Sequence, residues 1–354
     1  MTKRITALVL SLVMVFALVG TQAFAADDTD AAAALEEGLG YWFGSGPDGY
    51  DMQKAEAAFQ KAADQDNAEA WYWLGVLGYY GTDAERWPQV EECFQKSADL
   101  GSGFGWYGLG RLYEEGKGFD QDYEKAAECY QKAIDAGCLL GYVGLGNLYR
   151  DGGLGEEKDG QKALEYYTKA VSADDWYTRN EARLSIGNLY YDGAQGVDLS
   201  HQKALTWYQK AADDAYPAGY NKMGLLYGWT SDVELKDYEK SLEWLEKAAV
   251  CGYPYNLALC YHYARGVETD RTRSIELFMQ SADGGPQVVD SLAMLAVCYM
   301  QGEGVTRDRN AAIDFAMRCM AADGVKDISK VVAARGSGCG TALAKLVLTM
   351  LGAA

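Results

Sequence analysis

Two histidines, His201 and His262, are all that 354 residues contain, and no Cys-x-x-Cys pair occurs. Zinc sites draw on clustered Cys and His ligands, so no metal is expected, and no cofactor. The glycine-rich turns carry no Lys-Ser or Lys-Thr after them, which excludes a phosphate-binding loop. EF-hand spacing is absent. Acidic side chains are many but scattered, and no pair stands out for acid–base work. No block of lysines or arginines offsets a formal net charge of −19. Nucleic acid would find no positive face on which to release counterions, and an anionic membrane surface would repel the chain. Only five prolines occur, and the glycines sit at fixed places rather than in low-complexity runs. That argues for order.

The N-terminus has no acidic residue before Asp27, but it has Lys3 and Arg4. An uncharged run follows from Ile5 to Ala26, most apolar over Leu8 to Val19. Ala23-Phe24-Ala25 then supplies a small-x-small pattern ahead of an acidic stretch. These features predict a secretory signal peptide over 1–25, cleaved after Ala25. The rival is a retained anchor, for the run is barely long enough to span a bilayer. With cleavage, the mature protein has no membrane span and is secreted or held in the cell envelope of a bacterium. Export permits disulfides among the eight cysteines, though spacing does not give connectivity. Cys93 and Cys129 sit at equivalent helical positions, as do Cys260 and Cys298, which suits buried thiols. Bridges Cys129–Cys138, Cys251–Cys260 and Cys319–Cys339 stay open.

What fills the chain is repetition. LGRLYEEGKG at Leu109, LGNLYRDGG at Leu145, IGNLYYDGAQG at Ile186 and MGLLYGWTSD at Met223 are variants of one string. More degenerate copies begin at Leu39, Leu74, Leu257 and Leu295. Counted from the small residue, the copies start at Gly40, Gly75, Gly110, Gly146, Gly187, Gly224, Ala258 and Ala296, at intervals of 34 to 41 residues. A fixed period of this size marks one elongated array, whatever its length. Leu145, Gly146, Leu148 and Tyr149 share one face at 100° per residue, so this piece is a helix. Glycines stop it, and Asp122 and its equivalents open a second helix. In that second helix an aromatic or apolar residue recurs (Phe59, Phe94, Tyr130, Tyr167, Tyr208, Leu245, Phe278), followed within a turn by Ala or Ser. Large against small is what interlocking helices need. The mid-helix glycine costs about 0.5–1 kcal/mol against Ala. The Tyr or Phe three residues on is expected to fill the gap it leaves. The second copy has Gly78 there, so looser packing is expected.

LGRLYEEGKGFDQDYEKAAECYQKAIDAG (Leu109 to Gly137) and IGNLYYDGAQGVDLSHQKALTWYQKAADD (Ile186 to Asp214) resemble the Sel-1-like repeat (SLR) family, over about 28–325. The resemblance implies an all-α fold: an α/α superhelical solenoid of about eight helix-turn-helix repeats, related to tetratricopeptide repeats. Residues 326–354 would then form a C-terminal cap or tail with a short capping helix. It also implies an interaction scaffold without catalytic activity.

Offsets −3, +1 and +4 from the small residue lie on a stripe opposite the packing face. In related solenoids the first helix lines the concave surface. The residues expected to contact a protein or peptide partner there are Tyr72, Tyr107, Arg111, Asn147, Arg150, Asn188, Tyr191, Asn221 and Tyr255. Tyr and Arg are common interface anchors, and the amides of Asn147 and Asn188 can both donate to and accept from a peptide backbone. A monomer is expected. Two further readings remain. Ser200-His201-Gln202-Lys203 fits the Ser-x-x-Lys pattern of β-lactam-binding and β-lactamase-like enzymes, with which some cysteine-rich SLR proteins have been linked. No Lys-Thr-Gly or Ser-Asp-Asn accompanies it, and Lys203 is the repeat lysine also seen at Lys54, Lys125, Lys162 and Lys240. A structural envelope or host-interaction role is the other.

Overall fold

The computed structural model describes residues 30–42, 51–80, 87–116, 118, 120–154, 157–283 and 287–322. The expected signal peptide, the 326–354 cap, Phe43 and Cys339 lie outside the described residues. Sixteen helices, and no strand beyond an isolated Ala194–Val197 bridge, occur among those described. They are α1 (Asp30–Trp42), α2 (Met52–Ala63), α3 (Ala68–Tyr80), α4 (Trp87–Asp99), α5 (Gly103–Glu115), α6 (Tyr123–Asp135), α7 (Leu140–Asp151) and α8 (Gly160–Val171). There follow α9 (Trp176–Asp192), α10 (His201–Asp213), α11 (Pro217–Trp229), α12 (Tyr238–Val250), α13 (Tyr255–Tyr263), α14 (Arg271–Ala282), α15 (Val288–Gln301) and α16 (Arg309–Ala322). Residues up to Ser200, with α1–α9, form one compact unit, and His201 onward, with α10–α16, forms a second. Within each unit odd-numbered helices are the first of a repeat and even-numbered helices the second.

Local chemistry sets the hairpins. Asp51, Asp122, Asp159, Asp237 and Asp270 precede second helices, and their side chains accept backbone N–H bonds from the first turn. A cap of this kind is worth about 1 kcal/mol. The backbone N–H of each of these aspartates in turn donates to the carbonyl of the tyrosine ending the preceding first helix: Tyr41, Tyr113, Tyr149, Tyr227 and Tyr261. One residue therefore starts the second helix and ties it to the first. The lysine three positions on lies over that same tyrosine ring, at 5.2 Å for Lys54 on Tyr41, 5.4 Å for Lys125 on Tyr113 and 4.9 Å for Lys162 on Tyr149. Gly116 and Gly152 close α5 and α7 in the left-handed conformation that favours glycine.

The core rests on the second-helix ring. A Cβ placed on Gly110 of α5 would fall 2.5 Å from Cε1 of Tyr130, and one on Gly144 of α7 would fall 2.6 Å from the same atom. Tyr130 is thus gripped by its own first helix and by that of the next repeat. Phe94 is held in the same way, between Gly75 and Gly108. Gly146 faces Tyr167, and in the second unit Gly224 faces Leu245.

These contacts correct two expectations. The filler of the glycine gap is the second-helix ring, not the tyrosine three residues on, which serves the capping clasp instead. In the first copy Gly38, not Gly40, faces the Phe59 ring, and Tyr41 makes the clasp with Asp51. The string GLGYW offers two glycines, and only the one in reach of Phe59 can be the packing residue. Its interval to Gly75 is then 37 residues. In the second copy, where Tyr would stand, Gly78 closely receives a Val90 methyl, and a surface hollow of about 270 Å³ lies beside Trp71, Leu74, Val90 and Cys93.

Overpacking a core costs about 1–3 kcal/mol. Gly110→Val should therefore lower the urea midpoint of unfolding clearly, because its side chain would meet the Tyr130 ring. An unchanged midpoint would show that the ring is not fixed between the two helices.

Candidate functional site

A buried tyrosine hydroxyl needs a partner. Tyr130 and Tyr167 are 0% exposed, and both run through the stack so that their hydroxyls emerge beside the first helices. Tyr130 donates to Glu114 on α5. Tyr167 donates to Asn147 Oδ1 on α7 at 2.8 Å. Glu114 and Asn147 both belong to the stripe on which partner contacts are expected. Part of that stripe therefore serves the core.

Around these acceptors the first unit assembles a polar face. Arg111 lies over the Tyr79 ring at 4.5 Å, and its Nη2 donates to the Tyr79 hydroxyl at 2.6 Å and to Glu115 Oε1 at 3.0 Å. Tyr79 donates to Glu115, which links α3 to α5. Arg150 grips Asp151 with Nε at 2.8 Å and Nη2 at 2.7 Å. Burial holds the Glu114 carboxyl above its usual range, with Glu115 adding to the effect against the Tyr130 bond. The Asp151 hydrogen bond holds Arg150 charged. Asn188 and Tyr191 on α9 continue the row and are half-buried. Burial raises the Tyr191 hydroxyl's pKa, with Asp192 adding to it.

Of the remaining expected contacts, Tyr72, Tyr107 and Tyr255 are half-buried and lie against neighbouring rings, and Asn221 is buried. Tyr72 is wedged among Trp73, Phe94 and Phe104, with ring centroids 5.4–5.8 Å away. Tyr107 lies 5.7 Å from the Tyr130 ring, and burial drives its hydroxyl's pKa up. Asn221, in the second unit, is buried and accepts from Asn256 Nδ2 at 2.9 Å. Tyr255 packs against Phe278 at 5.7 Å. All four stand at offset −3, where Val143 and Leu184 are buried. A lone amphipathic helix would expose that position. In a stack, the repeat's own second-helix ring or the next first helix covers it.

Ser200 occupies the register of the capping aspartates, and its N–H donates to the Tyr190 carbonyl at 2.7 Å as theirs do. Lys203 holds the place of Lys125 and Lys240, which pair with their caps at 3.2 and 3.0 Å. The Ser-x-x-Lys string is thus accounted for by repeat geometry. Cys129, Cys138, Cys251 and Cys260 are free thiols, so neither Cys129–Cys138 nor Cys251–Cys260 is bridged. Burial pushes Cys129 and Cys260 up to about 11 and Cys138 up to about 12, which makes them poor nucleophiles.

One convergence in the second unit was hidden by sequence distance. His262 on α13, Cys298 on α15 and Glu303 in the following turn bring their ligating atoms within 4.8 Å of one another. His262 stands at offset +4 of its repeat, the stripe position held by Glu114 and Arg150, yet it is buried.

Comparison with known proteins bears on the fold. The Sel1 repeat family model matches residues 34–67, 107–138, 140–175, 181–216, 217–253, 255–286 and 289–316. It passes over the hairpin α3–α4, where Gly78 replaces the tyrosine. Among solved structures, the chain is similar to a protective antigen of uropathogenic Escherichia coli displaying an SLR fold, with 24% identity, 91% of this chain and 68% of that chain covered, and a TM-score of 0.47. It is also similar to a Sel1 repeat protein from Oxalobacter formigenes, with 24% identity, 70% and 96% coverage and a TM-score of 0.48. A third is an immunity protein from Pseudomonas aeruginosa, with 21% identity, 66% and 88% coverage and a TM-score of 0.48. No curated protein matches the chain.

Leaving a buried hydroxyl without its acceptor costs about 1–3 kcal/mol. Asn147→Ala should destabilise by about that much, and Tyr167→Phe in the same chain should recover most of it. Additive losses in the chemical-denaturation cycle would break the pairing of these two residues.

Proposed function

Because the chain belongs to the Sel1 repeat family, whose members are generally protein-interaction scaffolds, we propose that it is a non-catalytic scaffold that is exported from a bacterial cell. It holds an extended segment of a protein partner along the first helices α5, α7 and α9. The observation that carries this reading is the half-buried row Arg111, Asn147, Arg150, Asn188 and Tyr191. Its guanidinium groups are held in place yet reachable. The Arg150–Asp151 side chains are 34% and 52% exposed, and an ion pair so exposed stabilises by only about 0–1 kcal/mol. A partner carboxylate can take over the Arg150 fork at little cost, with the bidentate geometry that arginine favours. Asn147 keeps its amide N–H groups while its oxygen serves Tyr167, so it acts on a partner as a donor. Export rests on the N-terminal Lys3–Ala25 pattern, and the acidic surface keeps the exported chain soluble and away from nucleic acid.

The test is quantitative crosslinking capture with the mature protein. Arg111→Ala, Arg150→Ala and Tyr191→Ala together should reduce capture of the principal partner by about tenfold or more, since anchors of this type cost over 1 kcal/mol each. Far-UV circular dichroism should stay at the wild-type level. Undiminished capture removes the first-helix face from the account. A chromogenic β-lactam should remain unhydrolysed by the same preparation, and turnover would return Ser200 and Lys203 to consideration as a catalytic pair.

A further inference from the structure

We propose that His262, Cys298 and Glu303 form a site for one zinc-class divalent cation, which clips the seventh repeat to the eighth within the second unit. Imidazole, thiolate and carboxylate are a ligand set that zinc accepts, and three protein ligands leave one position for water. Their ligating atoms lie within 4.8 Å of one another. Tetrahedral coordination needs separations of about 3.3–3.8 Å, so closure is a movement of about an ångström. His262 Nε2 already stands 3.2 Å from Glu303 Oε2. His262 is 6% and Cys298 0% exposed, so neither is a chance surface group. Glu303 is half-buried at the start of a turn and opens the route by which an ion enters.

The surroundings suit ligation. Ser274 Oγ lies 3.4 Å from His262 Nδ1. With the metal on Nε2, the proton sits on Nδ1 and the serine oxygen accepts it, the outer-shell contact that fixes a ligating imidazole. Arg271 Nη2 lies 3.7 Å from Glu303 Oε1 and holds the carboxylate's other oxygen. On binding, Cys298 passes its thiol proton to solvent and its sulfur forms the metal bond, the imidazole gives up its Nε2 proton and keeps one on Nδ1, and Glu303 exchanges its imidazole contact for the metal. No redox change is involved. The site joins α13 to α15, which share an apolar cluster that includes Leu257, Cys260, Leu292 and Leu295. A metal would add a polar tie between two repeats that use Ala258 and Ala296 in place of the packing glycine.

Titration of the full chain with Co²⁺ should give one strong equivalent. A thiolate-to-cobalt charge-transfer band in the near ultraviolet and tetrahedral d–d bands should appear, and equimolar Zn²⁺ should displace them. Zinc should raise the melting temperature, and chelation should reverse the rise. Cys298→Ser should abolish the charge-transfer band, and Ser274→Ala should weaken cobalt binding about tenfold or more. Should Cys298→Ser fail to fold, Glu303→Gln, a change in a partly exposed turn, must still lose the strong equivalent. No charge-transfer band in the wild type overturns the proposal, as does a band that persists in Cys298→Ser or unchanged binding in Glu303→Gln.

Discussion

Each repeat depends on a ring that it does not own alone. Tyr130 packs into Gly110 of its own hairpin and Gly144 of the next, and Phe94 into Gly75 and Gly108. Neither glycine is good for a helix, and a pair of them costs about 1–2 kcal/mol. Truncating a buried aromatic costs about 3–5 kcal/mol. The exchange is favourable, but only if the next repeat is present. A single hairpin would pay for its glycines and leave one flank of its ring in water. Nearest-neighbour dependence of this kind makes an array fold as a cooperative stack.

The same constraint reaches the opposite face. A phenylalanine or leucine at the ring position, as at Phe59, Phe94, Leu245 and Phe278, ends within the core. A tyrosine there carries a hydroxyl through to the first-helix side and must find an acceptor. Glu114 and Asn147 meet that need for Tyr130 and Tyr167. Variation along the first-helix face is therefore coupled in part to which ring the core uses. The lysine ladder on the other side is coupled in the same way. Lys96 and Lys132 lie over first-helix tryptophans, Trp71 and Trp106, whereas Lys210 and Lys247 lie over second-helix tryptophans, Trp207 and Trp244. The aromatic moves from one helix to the other while the cation keeps its ring.

Periodicity made the hairpins legible, because Asp, Lys and Gly recur at spacings that caps and turns demand. It could not choose between two rings. The first-helix tyrosine and the second-helix ring both recur once per repeat, and only the three-dimensional approach reveals which one meets the glycine. The register of the first copy failed for a related reason: Gly38 and Gly40 fit the string equally well, and Phe59 decides between them. The candidate face was read as though a first helix had one buried side. Val143 and Leu184 were the available signal against this, being apolar at an offset taken for solvent. His262, Cys298 and Glu303 are separated by 36 and then 5 residues. No local motif spans such gaps, and only stacking of adjacent repeats closes them.

A variable position in a repeat can vary for a partner or for the core, and ring identity separates the two. Glu114 and Asn147 differ in residue type and in offset, yet each sits where a tyrosine hydroxyl emerges, so their variation has an internal cause. Arg111 and Arg150 also reach tyrosine hydroxyls, those of Tyr79 and Tyr167, but each in addition holds a carboxylate beside it, Glu115 and Asp151. Of the nine expected positions, Arg111, Asn147, Arg150, Asn188 and Tyr191 make up the half-buried run on α5, α7 and α9 that the proposed partner face uses. At its two arginines, partly exposed ion pairs with Glu115 and Asp151 are weak enough to be exchanged for a partner's carboxylate, while Asn147 stays tied to the Tyr167 hydroxyl.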